Sequence, residues 1–533
     1  MSKNVSTVKP IPRWARVELN LESTTKFANP IQEANLVATL IPPSKHERAV
    51  EGFWDGGNTW RIRFAPDEIG KWQVNLFLVN SKSDVLQTAS GSFVCGPADG
   101  DTPFELHGPV RLAPNKRHLE HVDGTPFFWL ADTAWNGALR ATDAEWDLYL
   151  AERQRQRFTS VQWVATHWRA APDGDSQGQL AFTGTEQIRI NPAFFQRLDQ
   201  RVKATTRAGL LNVPVLLWAV GSGANPQVDP GFGLPEAQAI LLARYMVARW
   251  GAYPVVWILA GDGTYQGNYA ERWRRIGRAV FGDKPHAPVA MHCGGQQWPA
   301  EEFRHENWID ILGYQSGHGD SDATWRWLVE GPPARDWGIE PRLLQLNLEP
   351  PYENHLAYHS HQPHSPASVR QATYWSLLNG PTAGVTYGGH GVWGWDDGRE
   401  SPMDHPNTGT PLPWQQALTM PGAQQMAYVA ELFTKLAWWR LRPAPFLLVG
   451  QPDVNDIKRT MLAAQSEIGD LMVAYISQGG LVTVRTAGLS AGLNATWFNP
   501  RTGERTSIGA VDNSQVGRFQ TPDNEDWLLV LTK

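Results

Sequence analysis

The stretch Leu343-Leu-Gln-Leu-Asn-Leu-Glu-Pro-Pro-Tyr-Glu-Asn-His355 runs an apolar segment straight into a carboxylate, Glu349, followed by two prolines and an aromatic ring. The run is short and leucine-rich, and the prolines forbid its continuation, so it reads as a buried β-strand that ends abruptly. A strand leaving a sheet often carries its first polar residue where solvent begins. The same position is also where parallel α/β sheets place the groups that act on a ligand. What the other strands end in decides between the two readings.

Seven further apolar β-runs surround this one between about residues 105 and 440: PFFWLAD, SVQWVATH, NVPVLLWAV, VVWILAGD, PVAMHCG, DILGYQSGH and GVTYGGHGVW. Helical patterns separate them, among them TDAEWDLYLAERQRQR, where Thr142 and Glu145 form a predicted capping box. Eight β/α units over this length predict a (β/α)8 TIM barrel. Polar residues stand at nearly every C-terminal strand end: Asp132, His167, Asp262, His292, Gln315 with His318, Glu349, and Tyr387 with His390, with Trp218 closing the third. Core packing does not require this, and side chains converging there build a polar cleft. Asp262 on the fourth strand and Glu349 on the seventh form the pair that glycosidic bond cleavage needs, a protonated acid and an ionised carboxylate. Gly261 and Gly263 are expected to supply the sharp turn that pushes Asp262 into the cleft.

Short alternating strands flank this region on both sides. WARVELNLE, WRIRFAPDEIGKWQVNLFLV and ASGSFVCG precede it, and DLMVAYIS, GLVTVRTA, ATWFNPRTG and DWLLVLTK follow it. Each set reads as a β-sandwich. The predicted α/β organisation is therefore an N-terminal β-sandwich over 1–104, a barrel over 105–442 and a C-terminal β-sandwich over 443–533.

The 533 residues carry a formal net charge of -6 and no basic stripe, which argues against a nucleic-acid partner. Two cysteines, Cys95 and Cys293, make no disulfide framework and no zinc-ligand spacing. No apolar run is long enough to span a membrane, and the first residues carry no export signal. The expectation is a cytoplasmic protein, or an exported one whose leader has been removed, with no membrane partner. Nothing in the sequence assigns an oligomeric state. Tryptophan is over-represented at 26 residues, and its broad apolar face with one N–H donor suits sugar rings as well as cores.

Several ordered motifs carry a resemblance: VVWILAGDG, DILGYQSGHG, LLQLNLEPPYENH, ATYWSLLNGPTAGVTYGGHGVWGW and PWQQALTMPGAQQMAYVAELF. Together they resemble the apiosidase-like glycoside hydrolases, TIM-barrel enzymes of a clan whose catalytic carboxylates end strands four and seven. GFWDGGNTWRIRFAPDEIGKW resembles the β-sandwich that often precedes such barrels, and the tail resembles the collagen-binding-type sandwich that often follows them. The resemblance implies Asp262 as acid/base and Glu349 as nucleophile, without a cofactor. It implies a carbohydrate subsite formed by Asp132, Trp135, His318, Tyr352, Glu353, Tyr387, His390 and Trp393, to which the strand-end reading adds His167, Trp218 and Gln315. His318 or Tyr387 is expected to hold Glu349 ionised. Where the family usually reads Gly-Gly-Asp this chain has Ala260-Gly261-Asp262, and an Asp acid is one methylene shorter than the Glu more usual in the clan. The expected activity is cleavage of a terminal glycosidic bond of an oligosaccharide or plant-type glycoside.

Two rivals follow from the sequence. His355, His359, His361 and His364 cluster in HLAYHSHQPH, but this polar loop lacks a carboxylate or cysteine partner, so no metal is expected. The other rival is a carbohydrate-binding protein on an inactive barrel, distinguished by whether Asp262 and Glu349 share a pocket.

Overall fold

The computed structural model describes residues 5–6, 10–220, 225, 227–282, 285–380, 383–453 and 455–533. All eight expected central strands form, as Trp129–Thr133, Ser160–Val164, Leu211–Trp218, Trp257–Gly261, Val289–His292, Ile311–Gln315, Leu344–Glu349 and Gly384–Tyr387. They pair in parallel in chain order, and the eighth returns to the first, with Trp129 opposite Gly384 and Asp132 opposite Tyr387. Among the described residues no ladder joins the seventh strand to the eighth, so the barrel is nearly closed. Every residue of these strands is buried, because side chains fill the barrel on one face and helices cover the other. The helix Asp143–Arg155 starts at Thr142 with the predicted reciprocal bonds to Glu145.

Before the barrel lie a six-stranded and a three-stranded sheet. Their inward residues, including Leu36, Trp60, Ile62, Trp72 and Leu78, form one core. Alternation along Thr59–Phe64 sends Trp60, Ile62 and Phe64 into that core and turns Arg63 toward the barrel. There Arg63 Nη2 donates to Asp199 Oδ2 at 2.7 Å, and Arg249 Nη2 meets both Asp199 Oδ2 and Asp55 Oδ1 at 2.9 Å. Burial alone would raise the Asp199 carboxyl, but the two guanidiniums outweigh it and hold it below the ordinary value. Removing one partner of a buried pair leaves uncompensated charge. Asp199→Ala is therefore expected to lower stability by about 3–5 kcal/mol in guanidinium denaturation, and an unchanged midpoint would refute this role.

After the barrel a six-stranded sheet faces a two-stranded one. Leu471, Val473, Tyr475, Leu528 and Val530 point to the barrel helices Pro366–Asn379 and Pro421–Thr434 and share a core with Tyr374, Trp375 and Phe433. The alternate residues Met472, Ala474, Leu529 and Leu531 pack on Val482, Val484 and Phe519 of the small sheet. Arg370 of the first helix binds Asp526 through two hydrogen bonds of 2.9 and 2.8 Å, and the Tyr475 hydroxyl donates to the same carboxylate. Among the described residues no helix is long and apolar enough to cross a membrane, and both cysteines are buried thiols.

Candidate active site

A cavity of about 520 Å³ opens at the C-terminal ends of the barrel strands, and Asp262 and Glu349 both line it. Glu349 gets there through a break in strand alternation. Asn347 faces outward, donating to Ser376 Oγ of the helix Pro366–Asn379, and regular alternation would send Glu349 the same way. The register instead shifts: Tyr314 pairs with Asn347, but Gln315 pairs with Glu349, so Leu348 is an extra residue. Such a bulge re-aims the next side chain, here into the cavity.

Asp262 is positioned by strain of a different kind. It adopts φ 54°, in the left-handed region that asparagine and aspartate tolerate better than other side chains. The expectation that the adjacent glycines supply the turn is corrected: neither has positive φ, and both are needed for space. A Cβ on Gly263 would lie 2.5 Å from the Ala219 carbonyl oxygen, and one on Gly261 would lie 2.8 Å from Val215 Cγ1.

His292 links the backbone at Asp262 to the Glu349 carboxylate. The backbone N–H of Asp262 donates to His292 Nδ1 at 3.3 Å, which places that ring's proton on Nε2, 3.2 Å from Glu349 Oε2. His318 is arranged alike: the Tyr352 N–H donates to its Nδ1 at 3.3 Å, and its Nε2–H donates to Glu349 Oε1 at 2.9 Å. Each oxygen of Glu349 thus faces one imidazole N–H. Burial pushes the Glu349 carboxyl up, yet the two histidines more than cancel this and hold it well below the carboxylate range. Among the described residues Asp262 has no such donors. Burial, aided by the negative charge of Glu349, pushes its carboxyl up to about 7 against the weaker opposing effects of His292, Arg169 and His318. One carboxyl is kept ionised and the other holds its proton up to about pH 7, a division of roles set by surroundings.

Of the residues anticipated for the subsite, Trp135, Trp218, Gln315, His318, Tyr352 and Trp393 line the cavity. Five do not, and each has another partner. Asp132 points away from the barrel axis, accepting from Tyr149 at 2.6 Å and Arg153 at 2.7 Å. Tyr387 lies on the same outer face and donates to Glu353 at 2.6 Å, so it does not hold Glu349. Glu353 also accepts from the Gly422 N–H at 3.0 Å and caps the helix Pro421–Thr434. His167 packs on Phe182, its Nδ1 accepting from the Ala181 N–H. His390 stands behind Trp393, whose indole N–H it accepts at 3.1 Å.

The sequence reading left out Trp168, Arg169, Gln296, Tyr358 and His405, which also line the cavity, and gave His292 no role. Trp168 and Arg169 directly follow His167, one step beyond the strand end that drew attention. His405 sits in a long loop without periodicity, where no pattern marks it. Of the histidine cluster, His355 and His359 line the cavity, and His355 stacks on His318 with ring centres 4.3 Å apart. His364 bonds the His318 carbonyl, and among the described residues no group of three His, Cys, Asp or Glu side chains could hold a metal.

Comparison with known proteins gives three family matches. A model described as "Apiosidase-like, catalytic domain" matches residues 113–440, a domain of unknown function matches 10–78, and a "Putative collagen-binding domain of a collagenase" matches 443–532. No curated protein matches the chain. Among solved structures, one named glycoside hydrolase aligns with TM-score 0.70 and 22% identity over 82% of this chain and 99% of its own. A glycoside hydrolase family 5 protein from Bacteroides vulgatus aligns with TM-score 0.70 and 21% identity, covering 82% of this chain and 95% of its own. A second Bacteroides vulgatus structure, named a putative glycoside hydrolase, covers 98% of this chain and 99% of its own, with TM-score 0.69 and 18% identity. At these identities the structures speak for the fold alone.

Proposed function

Since this chain belongs to the apiosidase-like family and is a glycoside hydrolase, we propose that it cleaves a terminal glycosidic bond of an oligosaccharide or plant-type glycoside by a retaining mechanism. Asp262 is the general acid/base and Glu349 the nucleophile. The observation that carries the assignment is the pair of imidazole N–H groups on Glu349, set against an Asp262 that lacks them in the same cavity. Asp262 would deliver its proton to the departing oxygen while Glu349 attacks the anomeric carbon, and the resulting ester would then be hydrolysed by water activated by Asp262.

The protonation states favour retention. An inverting enzyme needs its second carboxylate to take a proton from water, and a group held as acidic as Glu349 is a poor base. It remains a competent nucleophile, since Oε1 keeps a lone pair after accepting the His318 N–H and Oε2 stands 3.2 Å from His292 Nε2 without a formed hydrogen bond. Indole rings of Trp135, Trp168, Trp218 and Trp393 line the cavity and suit the C–H faces of a sugar, and Gln315 and Tyr352 supply polar groups. A binding protein without turnover has no use for two carboxyls kept in opposite protonation states. In this reading the barrel spans 105–442, and the paired sheets on either side are β-sandwiches over 1–104 and 443–533.

The test is a panel of aryl glycosides that includes apioside and arabinofuranoside, with the anomer first released followed by proton NMR. Hydrolysis with net retention is expected. The inverted anomer would overturn the nucleophile assignment, and failure to turn over any member would overturn the proposed substrate class.

A further inference from the structure

His355 lines the catalytic cavity, yet the reaction proposed above makes no use of it. It is the middle member of a row of three imidazoles supplied by consecutive strand ends. His318 follows the sixth barrel strand, His355 the seventh and His390 the eighth. The His355 ring stacks on His318 with centres 4.3 Å apart and planes at 21°, and it leans on His390 at 5.1 Å. Both outer rings have their two nitrogens engaged. His318 accepts the Tyr352 N–H on Nδ1 and donates from Nε2 to Glu349. His390 accepts the Trp393 indole N–H on Nδ1 and donates from Nε2 to the Gly409 carbonyl, 3.1 Å away.

The middle ring has one nitrogen to spare. Its Nδ1 lies 2.7 Å from the Leu356 carbonyl oxygen, which can only accept, so Nδ1 carries the proton and Nε2 a lone pair. Burial, with His318 and His390 alongside, pushes this imidazole far below its ordinary range, so the ring stays neutral and the lone pair stays available. No donor among the described residues reaches Nε2. The atom is not sealed off either: His355 is 2% exposed, and Nε2, on the ring edge turned away from Leu356, belongs to that small surface. The backbone holds the ring in place, because the His355 N–H donates to the Tyr352 carbonyl at 3.2 Å and its carbonyl accepts the His364 N–H at 2.9 Å.

A sugar hydroxyl that enters the cavity must donate its proton to something. Glu349 is committed to the anomeric carbon, and Asp262 has to keep its own proton until the departing oxygen takes it. The His355 lone pair stands outside that pair and is aimed before any substrate arrives. A site built around one such bond rejects an analogue that cannot make it, since the buried polar atom is then left unpaired.

We propose that His355 is a specificity-determining residue whose Nε2 accepts a hydrogen bond from one hydroxyl of the sugar seated on Glu349, so that glycosides are selected in which this hydroxyl is free rather than absent or O-methylated. The inference rests on the reading of this cavity as a glycosidase site.

Two replacements separate this role from packing. Asparagine can keep the bond to the Leu356 carbonyl, because its amide NH2 falls where Nδ1 stands, but it has nothing at the Nε2 position. Glutamine reaches the Nε2 position with an acceptor oxygen and gives up the Leu356 bond. Aryl arabinofuranoside and apioside, beside their monodeoxy and mono-O-methyl analogues, are assayed with the parent, His355→Asn and His355→Gln. In the parent, altering one particular hydroxyl is expected to lower kcat/KM about tenfold or more. In His355→Asn the intact substrate loses about tenfold, and altering that same hydroxyl then costs less than about threefold, whereas His355→Gln regains discrimination. An asparagine variant that discriminates as the parent does, or a glutamine variant poorer than the asparagine one in both respects, would overturn the proposal. Titration of the cavity tryptophans' fluorescence with arabinose and apiose reads the same comparison without turnover. Weaker binding by His355→Asn than by the other two, in a protein that hydrolyses no aryl glycoside, would support the role of His355 while counting against the glycosidase assignment. Equal binding by all three would overturn the role itself.

Discussion

Glu349→Gln lowers kcat/KM on aryl glycosides by about 10⁴-fold or more, equivalent to ~5.4 kcal/mol of transition-state stabilisation. An amide can neither attack the anomeric carbon nor carry the charge that the oxocarbenium-like centre demands. The surroundings deepen the loss. His292 and His318 each direct an Nε2–H at this side chain, and their Nδ1 atoms already accept backbone N–H groups, so neither ring can reverse its tautomer cheaply. A glutamine offers one oxygen and one NH2, leaving one imidazole N–H facing another donor. Steady-state kinetics beside far-UV circular dichroism checks this. Activity within tenfold of the parent, in a folded variant, would remove Glu349 from the nucleophile role.

Asp262→Asn produces the second large effect, a loss of about 10²–10⁴-fold on substrates whose leaving group needs a proton. Substrates with strongly acidic phenol leaving groups are affected far less in the first chemical step. Asparagine is the informative replacement because it also tolerates the left-handed backbone at φ 54°, so the turn survives. The pH dependence carries the sign. The acid must be protonated to act, and burial with the nearby charge of Glu349 raises its carboxyl to about 7. The parent's kcat/KM is therefore highest below neutrality and falls as pH rises through about 7, and this alkaline limb disappears in the variant. Glu349 is ionised throughout that range, since its histidine donors hold it well below ordinary carboxylates, so the acid limb lies far lower. An alkaline limb that persists in Asp262→Asn would assign it to another group. The same electrostatics serve the second half of a retaining cycle: once Glu349 is esterified its charge is gone, and Asp262 gives up its proton more readily, as the base then must.

The eight barrel strands were legible because fully buried parallel strands have to be apolar along their length, and because parallel pairing in chain order follows from alternating β and α segments. The two carboxyls were legible from position. Which face a strand-end residue takes was not. Asp132 and Tyr387 lie one residue out of phase with the cavity and serve Arg153 and Glu353 instead, whereas a one-residue bulge turns Glu349 inward. Strand alternation is so strict that a single unseen insertion reverses a side chain. Outside the barrel, the strands Ala34–Ile41 and Leu462–Ser466 went unread, and Arg505–Ala510 did too. The last of these is mostly exposed and carries little hydrophobic pattern to mark it. Arg169 and His405 entered the cavity from loops, where tertiary packing rather than sequence period fixes position.

The core shared by the final sheet and the barrel helices bears on how the chain divides. Leu471, Val473 and Tyr475 on one side and Tyr374 and Trp375 on the other have no separate solvent-ready surface, and the Arg370–Asp526 pair crosses the same seam. A chain ended after the barrel would bare those apolar helix faces and strand Arg370 without its carboxylate. The segment after residue 443 is thus a wall of the catalytic unit as much as an appendage, and a single calorimetric transition is the expected result for the two.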